Sequence, residues 1–117
     1  TPIIYGDGEQ SRDFTYIANV VDANQRAAET TRGIGQIINV ANGERVTLNE
    51  RLDKLKKILG KQDAQAEYRE ARVGDVKHSL ADITRARDFL GYAPLVGLEE
   101  GLRHTIDWWK QSRFARS

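Results

Sequence analysis

The chain has 117 residues, of which 39 % are hydrophobic and 30 % charged, a balance that suits one small globular domain or part of a larger one and gives no sign of disorder. A formal net charge of +1 supplies no strong field toward nucleic acid or an anionic membrane, and no apolar run is long enough to span a bilayer. Cysteine is absent, which excludes disulfides and thiolate metal sites and fits a cytoplasmic setting.

Pro2 to Tyr5 is apolar and β-branched and predicts a short strand, with Pro2 tolerated only at its start. The strand opens the chain with no cap or helix before it and there is no methionine, so the sequence reads as part of something longer. Gly6-Asp7-Gly8 is a turn signal, and Asp13 to Tyr16 reads as a second extended segment. Ile17, Val20, Val21, Asn24 and Ala28 fall at helical spacing, predicting a helix over Ile17 to Thr30 that Gly33 and Gly35 end. Gln36 to Ala41 reads as a buried strand, and Asn42-Gly43 as a turn.

Thr47 with Glu50 three residues on forms a capping box. Leu48, Leu52, Leu55 and Leu59 then make an apolar helical stripe that stops at Gly60. Gln62 to Glu67 is polar loop, and Tyr68 to Asp75 reads as loop or edge strand. Asp82 can cap a short helix through Leu90, with Gly91 and Pro94 beyond it. Leu98, Leu102, Ile106 and Trp109 predict a last amphipathic helix, in which Trp108 and Trp109 are packing residues. The resulting fold class is α/β, or α+β-like, with short strands and about four helices and no room for a full doubly wound sheet. The stripes of the Leu48 and Leu98 helices are expected to pack on one another and on the Gln36 strand. The opening strand and the Ile17 helix have no evident partner.

Chemistry is sparse. No Gly-x-Gly-x-x-Gly run follows a strand to cradle a dinucleotide. No tyrosine has a lysine four residues on for proton transfer. His78 and His104 are not at metal-ligand spacing with carboxylates, and no serine has a Gly-x-Ser-x-Gly context. What remains are arginines in polar, glycine-bearing loops: Gly6 to Tyr16 with Arg12 and Asp13, and Arg72 to Ser79 with Asp75. An arginine fork matches phosphate oxygens, and two forks converging on one cleft suit a diphosphate. From the residues alone, solvated Arg-Asp neighbours worth little are an equally good reading.

The runs GDGEQSRDFTYI, INVANGERVTLNE, RVGDVKHSLADI with LGYAP, and LEEGLRHTIDWW resemble, in order and over nearly the whole chain, the extended short-chain dehydrogenases. Within them the runs are most similar to bacterial UDP-N-acetylglucosamine 4-epimerases of polysaccharide synthesis. The resemblance implies that the chain is the small carboxy-terminal substrate-binding part of a Rossmann-type enzyme. NAD and the catalytic Ser/Thr, Tyr and Lys would then belong to an amino-terminal domain outside it, which would also be its packing partner. Alone it would be inactive.

By similarity, Ile3 and Tyr5 lie along the uracil, Arg12 and Arg72 hold the diphosphate, Asp75 accepts from the ribose hydroxyls, and Ser79 lies near the sugar or helps close its loop. Ala18 stands where the family usually has an acidic residue, removing an effect of about 0.3–1 kcal/mol on the following helix. A nucleotide-sugar dehydratase or reductase, and a non-catalytic UDP-sugar-binding module, are the alternatives. A nucleic-acid partner through Arg85, Arg87, Arg103, Arg113 and Arg116 is disfavoured by the near-neutral charge and the absence of aromatic-basic interleaving. The identity of the hexose and the oligomeric state are left open.

Overall fold

Local signals place most of the elements. In the computed structural model, which describes residues 1–114, these are β1 (Ile3–Tyr5), β2 (Ser11–Arg12), α1 (Ile17–Glu29), β3 (Val46–Thr47), α2 (Leu48–Leu59), β4 (Glu67–Arg69), α3 (Thr84–Leu90) and α4 (Leu98–Phe114). The α/β class with four helices and short strands is as the sequence predicts. The helix boundaries follow from cap chemistry. Thr47 Oγ1 accepts from the Glu50 N–H while the Glu50 carboxylate accepts from the Thr47 N–H, closing the capping box of α2. Gly60 and Gly91 end α2 and α3 in the left-handed conformation. The N-cap position of α3 is Ile83, which makes no side-chain cap bond, so Asp82 is not the N-cap; it stands one residue ahead and accepts from both the backbone N–H and the hydroxyl of Thr84.

The chain divides into two compact units. One comprises Thr1–Phe14 and Gly43–Leu80; the other comprises Thr15–Asn42 and the chain from Ala81 onward. In the first unit β1 runs parallel to β4, pairing Ile3 with Glu67, Ile4 with Tyr68 and Tyr5 with Arg69. There β2 runs antiparallel to β3, pairing Ser11 with Thr47 and Arg12 with Val46. Ile4, Gln10 and Ser11 are buried here, whereas α2 contributes no fully buried residue. The Asp13 to Tyr16 segment forms no strand. The pairing falls one step earlier, on Ser11 and Arg12, and Asp13 instead accepts from the Gly43 N–H.

The second unit is built around α1 and α3. Its core joins Ala23, Ala41, Ile83, Ala86, Leu90 and Tyr92, with Ile38 and Val40 packed against it. Helix α1 therefore does have a partner, α3, contrary to expectation, and the face it buries is Asn19 and Ala23 rather than the stripe of larger residues. Ile17 and Val21 are exposed. Gln36 to Ala41 forms no strand: Ile38, Val40 and Ala41 turn inward, but Ile37 is 85 % exposed. That segment packs with α1 and α3, so the expected packing of α2 and α4 on it is not the arrangement of this core.

Along α4, Leu102 and Ile106 are buried, and Gly101 lies where an added Cβ would stand 2.9 Å from the Tyr16 Cβ. Alanine at 101 gains about 1 kcal/mol of helix propensity, but overpacking of this kind costs about 1–3 kcal/mol. Gly101→Ala is therefore expected to lower stability by about 1 kcal/mol, read as a lower midpoint of thermal unfolding.

Candidate functional site

The first unit holds an open cleft whose lining includes Ile3, Tyr5, Gln10, Arg72 and Asp75. A smaller adjoining hollow shares Tyr5, Gln10, Arg72 and Asp75 and adds Asp7 and Lys77. Strand β1 supplies one wall because it is held on β4, and the loop after β4 carries Arg72 and Asp75 back over it. The Arg72 guanidinium carbon lies 4.2 Å from the centre of the Tyr5 ring, a cation–π contact. Arg12 Nη2 donates to Asp75 Oδ1 at 2.5 Å, and its Nη1 donates to the carbonyls of Ser11 at 2.7 Å and Lys77 at 3.4 Å. Both terminal nitrogens of the Arg12 fork are thus engaged within the protein. Asp75 holds Arg12 and lines the cleft at once.

Of the sequence candidates, Ile3, Tyr5, Arg72 and Asp75 line one cleft, and Arg12 reaches it through Asp75. Ser79 lies at the end of the loop, where its N–H donates to the Ser11 carbonyl at 3.1 Å. Sequence reasoning missed Gln10, Asn49 and Lys77. Gln10 is 6 % exposed and donates from Nε2 to the Tyr5 carbonyl at 2.7 Å, tying the Gly6-Asp7-Gly8 turn to β1. Asn49 is the organiser of that turn. Its N–H donates to the Gly8 carbonyl, its Nδ2 to the Asp7 carbonyl and the Glu9 carboxylate, and its Oδ1 accepts from the Tyr68 hydroxyl. The only signal for each was its place inside a longer run: Gln10 in Gly6 to Tyr16, Asn49 in INVANGERVTLNE and Lys77 in RVGDVKHSLADI.

Lys77 Nζ contacts both oxygens of Asp7 at 2.8 Å. This hydrogen bond, followed by one from the Glu9 backbone N–H, holds the Asp7 carboxyl below its ordinary 3.8. A depressed carboxyl pKa contributes stability above the unfolded value and loses it as pH falls through the folded value, so the tie between turn and loop loosens only in acid. In Lys77→Ala the Asp7 titration is expected to move up toward 3.8, as read by carboxyl carbon chemical shift.

Helices α1, α2 and α3 begin after Tyr16, Thr47 and Ile83, and none of them starts on a glycine-rich turn from a strand. Among the described residues there is no group of three metal-ligating side chains and no helix long and apolar enough to cross a membrane.

The chain is α/β and brings two guanidinium groups and a carboxylate to one strand-lined cleft, a donor set whose chemistry suits an anion. Comparison with known proteins gives the family. The family model described as GDP-mannose 4,6 dehydratase matches residues 1–105, and the chain belongs to this family of extended short-chain dehydrogenase-type epimerases and dehydratases. It is 35 % identical to the UDP-glucuronate 4-epimerase of Thermodesulfobacterium geofontis over 93 % of this chain and 33 % of the relative.

Two solved structures align with it closely. The UDP-N-acetylglucosamine 4-epimerase of Methanobrevibacter ruminantium in complex with UDP-N-acetylmuramic acid superposes with a TM-score of 0.87 and 40 % identity, over 96 % of this chain and 35 % of that one. The UDP-glucuronic acid 4-epimerase of Bacillus cereus in complex with UDP-glucuronic acid and NAD gives 0.87 and 37 %, over 95 % and 36 %. The chain spans about a third of the length of the curated relatives it matches.

Proposed function

We propose that this chain supplies the nucleotide-sugar-binding part of an NAD-dependent UDP-sugar 4-epimerase. The observation that carries the reading is the gathering of Tyr5, Arg12, Arg72 and Asp75 at one cleft of the first unit. Ile3 and Tyr5 take the base along β1, Arg12 and Arg72 take the diphosphate, Asp75 takes ribose hydroxyls, and Ser79 stands where the loop closes toward the sugar. NAD is assigned to a dinucleotide-binding part of such an enzyme, which is also this chain's packing partner; the chain spans only 36 % of the related epimerase that holds UDP-glucuronic acid and NAD. The exposed Ile17, Val21, Trp108 and Trp109 of the second unit are consistent with such a partner. The fold is equally compatible with a nucleotide-sugar dehydratase, the activity in the family's description.

Isothermal titration with UDP tests the binding role. Hydrogen bonds to charged groups contribute about 1.5–3 kcal/mol, so Arg12→Ala and Arg72→Ala are each expected to weaken UDP binding roughly tenfold to hundredfold. The loss should be nearly the same for UDP and for UDP-sugars. An unchanged affinity in either variant would make that arginine a surface residue.

A further inference from the structure

The segment over residues 70–80 carries Arg72 and Asp75 but contains no buried residue, so no apolar packing fixes it. It is held at its two ends and by polar contacts. At the near end β4 pairs with β1. At the far end Ser11 and His78 form a single parallel bridge, with the Ser11 N–H donating to the Lys77 carbonyl at 2.8 Å and the Ser79 N–H to the Ser11 carbonyl at 3.1 Å. One side-chain bond completes this anchor: Ser11 Oγ lies 2.8 Å from His78 Nδ1. Ser11 is 4 % exposed and sits in β2 next to Arg12. A hydroxyl that deeply buried needs a partner, and among the described residues His78 is the one it has.

We propose that His78 is a positioning residue for nucleotide binding: its bond to the buried Ser11 hydroxyl fixes the loop so that Arg72 and Asp75 are already placed when a nucleoside diphosphate arrives. This rests on the reading of the cleft given under Proposed function. Without the bond, the far end keeps its two backbone hydrogen bonds and the exposed contacts of Arg12 and Lys77, but loses the one side-chain bond made to a buried group. More of the loop's ordering then falls to the ligand, at a cost in affinity. The same bridge also holds Lys77, whose carbonyl accepts from Arg12 and whose ammonium ties Asp7. The histidine thus acts on both sides of the cleft although it lines neither hollow.

UDP titration of His78→Ala is expected to give a loss of roughly threefold to tenfold, the size of one net hydrogen bond. His78→Asn, which places an amide group near the position of Nδ1, should recover most of it. Ser11→Ala should lose as much as His78→Ala, and the double variant no more than either. Unchanged UDP affinity in His78→Ala, or an equal loss in His78→Asn, would overturn the proposal. Nitrogen-15 relaxation gives a readout without ligand: order parameters over residues 72–76 should fall to below about 0.6 in His78→Ala or Ser11→Ala, and unchanged values would also overturn it. Wild-type protein that bound no UDP would instead defeat the reading of the cleft, and the relaxation comparison would still decide whether His78 holds the loop.

Discussion

Asn19→Ala is expected to lower stability by on the order of 4 kcal/mol. Asn19 is fully buried, at 0 % exposure, in the first turn of α1. Its Oδ1 accepts from the Leu95 and Val96 N–H groups at 2.9 and 3.0 Å, and its Nδ2 donates to the Val96 carbonyl at 2.8 Å. One amide therefore satisfies three backbone groups of the segment between α3 and α4. Removing it leaves those groups without partners, and each such orphan costs about 1–3 kcal/mol. Chemical denaturation followed by circular dichroism checks the value. A loss under about 1 kcal/mol would mean that water replaces the amide at little cost.

Gly8→Ala is expected to cost on the order of 3 kcal/mol and to weaken the nucleotide cleft as well. Two effects add. Gly8 has φ +79°, where a Cβ is strained by about 1–2 kcal/mol, and that Cβ would stand 2.0 Å from Asn49 Oδ1. The asparagine must leave, giving up the bonds to Asp7, Glu9 and Tyr68 that shape the turn. A double-mutant cycle separates the two effects. In an Asn49→Ala background the overlap is gone, so Gly8→Ala should cost only its backbone strain, and the double variant should be more stable than the sum of the single losses predicts. Additive losses would show that Asn49 is not what Gly8 makes room for.

The elements legible in the sequence were those written by local chemistry. The Thr47–Glu50 box, Gly60, Gly91, and the helices beginning at Ile17 and Leu98 each rest on residues within one or two turns of each other. What was not legible depends on partners far away in the chain. Gln36 to Ala41 has the apolar content of a strand, but no described strand lies beside it to accept its hydrogen bonds, so Ile37 faces outward. The buried face of α1 was hidden because its key residue is polar: Asn19 is inside only because Leu95 and Val96 present backbone groups to it. At the cleft, the two arginine loops could be picked out by residue type. That Arg12 is already paired with Asp75, and that Arg72 rests on Tyr5, depends on contacts across more than sixty residues. No local pattern records such contacts.

The chain passes between its two units at Phe14–Thr15, Asn42–Gly43 and Leu80–Ala81, and this interleaving bears on how the molecule is made. Neither unit is a continuous stretch, so neither can close as soon as its first residues leave the ribosome. Helix α1 emerges well ahead of α3, which supplies its partners Ala86 and Leu90. At about 5–20 residues per second, the wait is roughly 3–10 seconds. During that time Asn19 has no backbone groups to satisfy and Ala23 no core to join. Nascent α1 thus waits without its core, and synonymous changes that slow translation between residues 30 and 84 should lengthen that wait.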